Sequence, residues 1–344
     1  MTAVHGGALW QPRVRASCDY DFIVPADVND AWYPPAPRVL AAIAEWAPRL
    51  HHSPDTTGLA LRESMARVFS TPIESIRLGA GSSDLLHHII LACLRPGDEV
   101  LILDPTYAEY SRVAEIAGAR VERVPSIDSI GPKVRLAAIC NPNNPTGTVI
   151  PRAQLLRLAR SAPRDSILLI DEAYIDFAPE ESLFADAPEF ENLAIVRTFS
   201  KAYALAGLRV AYAAFGERVR ALFDARARPP WPVGLLGLKA AEIALEERGY
   251  VEQRIAELAS LKRDLIDSLC VPAIPSRTHY FLVDLEGTGK TAQEASSAVS
   301  ACAIFGRDLC GFSTRGLQRF LRITTQSAEA NTRIAAALKE VLNP

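Results

Sequence analysis

Seven short apolar runs, strung along residues 76–215 and separated by stretches of helical spacing, constrain this chain more than any other feature. They lie at 76–78, 100–103, 121–124, 136–140, 167–170, 193–196 and 210–215. Within most of them apolar residues follow one another without a polar alternate, so neither face of such a strand is meant for water. Segments 84–94, 107–118 and 152–161 lie between them with the spacing of covering helices. Strands buried on both faces and alternating with helices predict an α/β fold built on a seven-stranded, mostly parallel sheet. In such sheets ligands gather beyond the carboxyl ends of the strands. Polar clusters stand there after five of the runs: Gly81-Ser82-Ser83-Asp84, Asp104-Pro105-Thr106-Tyr107, Asn141 to Gly147, Asp171-Glu172-Ala173-Tyr174, and Thr198 to Lys201.

Outside this region the pattern changes. Residues 1–35 read as an irregular arm, punctuated by Pro25, Pro34 and Pro35. Helices are expected at 38–46 and 59–69. Past the proline cluster Pro229, Pro230 and Pro232, residues 233–269 read as mostly helical, 279–285 and 320–324 as strands, and 328–342 as a closing helix. We therefore expect the arm 1–35, a large domain 36–230 and a smaller α+β domain 231–344.

Composition narrows the function classes. A hydrophobic content of 49% and a charged content of 22% belong to an ordinary globular chain. The net charge of −3 and pI near 6.1 leave no basic footprint for nucleic acid. The apolar run 85–94 is too short for a membrane span and holds His87 and His88. Residues 1–11 lack a charged region followed by an apolar core, so no signal peptide is expected. Cys18, Cys93, Cys140, Cys270, Cys302 and Cys310 are scattered without a CxxC pair, which fits reduced thiols. A cytoplasmic enzyme is the expectation.

The chemistry sits at the strand ends. Lys201 follows an apolar strand and Arg209 stands eight residues further on. A lysine emerging from such a strand is partly desolvated, which favours the neutral amine that attacks carbonyls. Thr198, Ser200 and Arg209 add donors suited to a phosphate. A lysine nucleophile beside a phosphate grip suggests pyridoxal 5′-phosphate held as a Schiff base. Gly81 permits a tight turn before the amides of Ser82 and Ser83, an anion site that also fits a plain helix start. Asn141-Pro142-Asn143-Asn144-Pro145-Thr146-Gly147 is a rigid loop with more asparagines than a turn requires. Asp171 leaves an apolar strand and needs a cationic or donor partner, for which a protonated pyridine nitrogen would serve. Tyr174 would donate to the cofactor's phenolic oxygen. A metal at Asp171 finds no His or Cys at ligand spacing.

Taken together, Gly81-Ser82-Ser83-Asp84, Asn144-Pro145-Thr146-Gly147, Asp171-Glu172-Ala173-Tyr174, Ser200-Lys201 with Arg209, and Arg322-Ile323-Thr324 resemble fold-type I pyridoxal-phosphate aminotransferases in order and spacing. Within that superfamily the chain is most similar to the histidinol-phosphate aminotransferase branch and its sister, threonine-phosphate decarboxylase. The resemblance implies that Lys201 forms the Schiff base and moves the substrate's proton. It implies that Asp171 pairs with the pyridinium nitrogen, that Asn144 and Tyr174 bond the ring O3′, and that Tyr107 stacks on the ring. Gly81, the amides of Ser82 and Ser83, Thr198, Ser200 and Arg209 would hold the phosphate, and Arg322 the substrate carboxylate. Substrates would be a small polar amino acid, phosphorylated in some relatives, and a 2-oxo acid, handled by a homodimer without nucleic acid, membrane or metal. A decarboxylase, cyclase or lyase on the same scaffold stays open, as does a non-catalytic cofactor-binding regulator.

One position departs from the family. Ser53-Pro54-Asp55 aligns with a Tyr-Pro-Asp segment whose tyrosine reaches the neighbouring subunit's cofactor phosphate. The stretch Gly287 to Thr291 echoes a phosphate loop, but Asp284 stands where the first glycine belongs, so a turn is expected.

Overall fold

The computed structural model describes Gly7, residues 22–309, Phe312 and residues 317–342. Among the described residues, two α-helices precede the first strand. Helix α1 (Pro37–Trp46) opens on a proline, whose missing N–H costs nothing in a first turn. Helix α2 (Leu59–Phe69) is braced by Asp55, whose carboxylate accepts from the amides of Thr57 at 2.8 Å and Leu59 at 2.7 Å. Ser53, in the same loop, is exposed.

The seven apolar runs all form strands of one sheet. In chain order come β1 (Ile76–Gly79), α3 (Ser82–Cys93), β2 (Glu99–Leu103), α4 (Glu109–Ile116), β3 (Arg120–Val124), β4 (Val134–Cys140), α5 (Arg152–Ser161), β5 (Ile167–Asp171), β6 (Leu193–Thr198), β7 (Ala211–Phe215) and α6 (Glu217–Arg226). The strand order is β1-β7-β6-β5-β4-β2-β3, and β7 runs antiparallel to both its neighbours. Period-2 geometry explains the continuous apolar runs. Along β5, Ile167 and Leu169 pack with Leu85, Leu86 and Ile89 of α3, while Leu168 and Ile170 pack with Leu61 and Met65 of α2 and Leu155 of α5. Both faces are core, so both registers must be hydrophobic.

The stretch 233–269 forms two helices rather than one, α7 (Leu235–Glu246) and α8 (Arg248–Ser268), which meet at Glu247 with ψ of 27°. The chain changes packing surface along α8, whose Val251 still joins the large-sheet cluster. Leu238, Ala241 and Ala244 of α7 join the large-sheet cluster, whereas Leu265 of α8 joins the second sheet's core. That second sheet contains β8 (Ala273–Ile274), β9 (Tyr280–Asp284), β10 (Arg307–Asp308) and β11 (Phe320–Thr324) in the order β10-β11-β9-β8, every neighbouring pair antiparallel. Helices α9 (Ala292–Ser300) and α10 (Ala328–Leu342) cover it. Residues 287–291 do turn, and Thr291 caps α9 in a capping box with Glu294.

The arm is tied to this sheet. Val24 donates to the Ala303 carbonyl at 2.9 Å, and the Thr324 amide donates to the Ala26 carbonyl at 3.0 Å. Of the arm expected at 1–35, residues 1–6 and 8–21 lie outside the described residues, as do Cys18 and Cys310. No described helix is long and apolar enough to cross a membrane.

Candidate active site

Asp171 is the last residue of β5, in register with Cys140 of β4. Apolar strands wall it in, so its carboxylate is buried. The Tyr110 hydroxyl donates to Oδ2 at 2.7 Å and the Ala173 amide to Oδ1 at 3.0 Å. Burial pushes the carboxyl up to about 6, against the pull of the Tyr110 and Ala173 bonds and of the Lys201 charge. A buried carboxylate supplied only with neutral donors is short of a cation.

Lys201 lies on the loop beyond β6, near enough to Asp171 for its charge to pull on that carboxyl. Its Nζ lies 3.1 Å from Asp30 Oδ1 and 6.0 Å from the centre of the Tyr174 ring. Tyr174 is buried, and its hydroxyl accepts from Asn29 Nδ2 at 2.9 Å. Asn29 is locked in turn, because Thr324 Oγ1 donates to its Oδ1 at 3.0 Å.

An anion cradle forms where β1 meets α3. Gly81 has φ of +95°, a conformation that L side chains rarely adopt, and a Cβ there would overlap the Arg209 guanidinium. Arg209, on the loop before β7, is steadied by a bond from Nη1 to the Ala206 carbonyl at 2.9 Å. Ser82 and Ser83 open α3, so their amides have no partner within the helix and the helix dipole favours negative charge there. Thr198 and Ser200 share a bond of 2.9 Å between their hydroxyls, beside this cradle at the end of β6. Tyr107 closes one side; its hydroxyl lies 3.2 Å from Ser83 Oγ and its ring stands edge-on to Tyr110 at 5.7 Å.

The asparagines of the 141–147 loop divide their work. Asn141 exchanges bonds with Ile150, and Asn143 takes the Thr106 hydroxyl at 2.7 Å while donating to the Pro105 carbonyl. Those two hold the loop. Asn144 instead accepts on Oδ1 from Arg322 Nη1 at 2.6 Å. Arg322, on β11, is buried; Nη2 donates to the Asp27 carbonyl at 2.7 Å, and Nε is sealed from solvent with no acceptor among the described residues. Burial lowers its pKa from the usual arginine value, so an anion delivered to it is strongly favoured.

The residues singled out in the sequence meet in linked groups: Tyr107 touches Ser83 and Tyr110, Tyr110 bonds Asp171, Lys201 lies near the Tyr174 ring, Asn144 bonds Arg322, and Gly81 abuts Arg209. Several neighbours had no sequence signal of their own. Tyr110 lies three residues beyond Tyr107, in the first turn of α4. His279 stacks on Phe177 at 4.6 Å with its Nε2 3.2 Å from the Asn29 carbonyl. Burial and the charges of Lys201, Lys262 and Arg322 hold that imidazole down to about 3, hence neutral.

A carboxylate wanting a cation, a lysine and an anion cradle at adjacent strand ends are also what one large group of enzymes uses. The profile of the aminotransferase class I and II family matches residues 24–338. The chain belongs to that family. The histidinol-phosphate aminotransferase of Moorella thermoacetica is 32% identical over 329 residues, spanning 90% of this chain and 82% of that protein. Among solved structures, histidinol-phosphate aminotransferase from Sinorhizobium meliloti in complex with pyridoxal-5′-phosphate superposes with a TM-score of 0.81 at 27% identity, covering 92% of this chain and 90% of that one. L-threonine-O-3-phosphate decarboxylase from Porphyromonas gingivalis gives a TM-score of 0.84 at 28% identity, covering 94% and 100%. This aminotransferase is a pyridoxal-phosphate enzyme with a fold-type I sheet. The site fits the cofactor on its own chemistry: Asp171 lacks the cation a pyridinium would bring, and the glycine at 81 leaves Arg209 and two free amides for a phosphate.

Proposed function

We propose that Lys201 is the residue that carries the cofactor and that the aminotransferase moves an amino group from a small, polar, phosphorylated amine to a 2-oxo acid. Bound pyridoxal phosphate supplies an electron sink conjugated to the substrate's Cα. Asp171 would hold the proton on the ring nitrogen. Asn144 and Tyr174 would bond the ring O3′, and Tyr107 would cover the ring. The amides of Ser82 and Ser83, with Thr198, Ser200 and Arg209, would hold the phosphate. The Lys201 amine would take the proton from the substrate's Cα. Arg322 holds the substrate's carboxylate or phosphoryl group, for which a planar guanidinium with an orphaned Nε is well suited.

What supports this reading is that Lys201, Asp171 and Arg322 all act on Tyr174 or on one another, with Asn144 bonded to Arg322. Relatives named histidinol-phosphate aminotransferase make histidinol phosphate the first donor to try. A cytoplasmic homodimer is part of the proposal and rests on the same likeness. The test is a donor panel that includes histidinol phosphate and threonine phosphate. The cofactor spectrum reports the half-reaction and mass spectrometry identifies the product. A carbonyl product with retained carbon count is expected. Release of carbon dioxide from the donor would replace transamination by decarboxylation.

A further inference from the structure

The Asp171 carboxylate takes one donor on each oxygen, the Tyr110 hydroxyl on Oδ2 at 2.7 Å and the Ala173 amide on Oδ1 at 3.0 Å. Bonded at both ends, it cannot turn about its Cβ–Cγ bond without losing both donors. The amide lies two residues on in the chain, whereas the phenol is brought across 61 positions. Tyr110 lies in the first turn of α4, and its ring stands edge-on to Tyr107 at 5.7 Å. One short stretch thus carries both the ring assigned above to the cofactor's face and the hydroxyl that reaches Asp171.

Tyr110 acts in one direction only. Burial and the Asp171 charge push its phenol well above the usual tyrosine value, so the hydroxyl keeps its proton and donates. Around Asp171 stand Tyr110 of α4, Cys140 of β4, and Tyr107, Tyr174 and Lys201 on the loops after β2, β5 and β6. Burial raises the pKa of Cys140, Tyr107 and Tyr174, which keeps all three neutral. Lys201 is the cation of the group, but its Nζ bonds Asp30 rather than Asp171, and in the reading above its amine is given to the cofactor. We propose that Tyr110 is the positioning residue of Asp171, holding that carboxylate ionised and in one plane so that the cofactor's ring nitrogen meets a fixed anion. This rests on the reading above, in which bound pyridoxal phosphate faces Asp171. Burial pushes the Asp171 carboxyl up to about 6 against the pull of this bond, so losing the phenol raises it further.

Steady-state kinetics of the loaded enzyme compares wild type, Tyr110→Phe, Asp171→Asn and the double variant. Phenylalanine keeps the ring and removes the donor. We expect Tyr110→Phe to lower kcat about ten- to hundredfold, the loss of one hydrogen bond to a charged group, with KM changed less than about twofold. On the Asp171→Asn background the same substitution should change kcat less than about threefold, because the anion it serves is gone. Urea unfolding of the cofactor-free chain gives a second readout. The Tyr110→Phe native state holds more protons than wild type above about pH 6, so its stability deficit should widen as pH rises from about 6 to about 8. If the single variant does not fold but the double variant does, the coupling is shown by folding itself. Failure of both to fold, an equal loss of kcat on both backgrounds, a deficit flat in pH or unchanged kcat in Tyr110→Phe would overturn the proposal. A wild type that binds no cofactor would overturn the reaction proposed above as well, whereas failure confined to the variants overturns this proposal alone.

Discussion

Asp171 meets a phenol and an amide at the end of β5, and this sets how the cofactor-free protein responds to pH. An unfolded aspartate ionises near 4 and the folded one near 6, so between those values the native state holds more protons than the unfolded state. The contribution of this carboxyl is fully present below pH 4 and is lost as pH rises towards 6, by about 3 kcal/mol. Asp171→Asn, which keeps the shape, should therefore gain about that much relative to wild type between pH 4 and 7 in urea unfolding of cofactor-free protein. A flat difference would mean that the carboxyl is not desolvated. In the loaded enzyme the same variant should lose about 10²- to 10⁴-fold in kcat/KM. Arg322→Lys should raise the donor KM about tenfold or more with a smaller change in kcat, since an ammonium cannot replace a planar fork; steady-state kinetics on the best donor checks it. Lys201, Asp171 and Asn144 were legible in the sequence because they end strands or interrupt them with unusual loops. The contacts of Asn29 and His279 were not, because Asn29 reaches Tyr174 across 145 positions and His279 reaches Asn29 across 250. No local pattern encodes such a contact.

At the level of elements, the start of α3 is the most sensitive joint. Its glycine at 81 brings backbone amides and Arg209 together, and any Cβ there both strains φ and displaces the guanidinium. Gly81→Ala should reduce cofactor affinity by at least about tenfold, read by equilibrium dialysis. Affinity equal to wild type would remove Arg209 from the phosphate grip. The strands were readable for a simple reason: most are buried on both faces and so leave apolar runs, whereas β3 at the sheet edge alternates with Arg120, Glu122 and Arg123. The break between α7 and α8 was hidden because both sides pack on the large-sheet cluster, so the helical spacing runs on through Glu247. Helix α6 was missed since Val219 and Phe223 are its buried residues, too few for a clear stripe.

At the scale of the whole molecule, the segment 24–33 joins the two sheets through the site. Asp27 accepts from Arg322, Asn29 bonds Tyr174 and Thr324, Asp30 pairs with Lys201, and Tyr33 donates to the Ala202 carbonyl at 2.7 Å. Asn29→Ala leaves two buried hydroxyls short of partners and should cost about 1–3 kcal/mol in urea unfolding. It should also lower kcat, because Tyr174 loses the bond that aims it; unchanged stability and rate would make the arm a passive cover. All of this rests on one amine. The purified holoenzyme should be reduced with borohydride, digested and sequenced by mass spectrometry. We expect the phosphopyridoxyl group on Lys201 alone. A label on Lys133, Lys239, Lys262, Lys290 or Lys339, with Lys201 unmodified, would contradict the site described above.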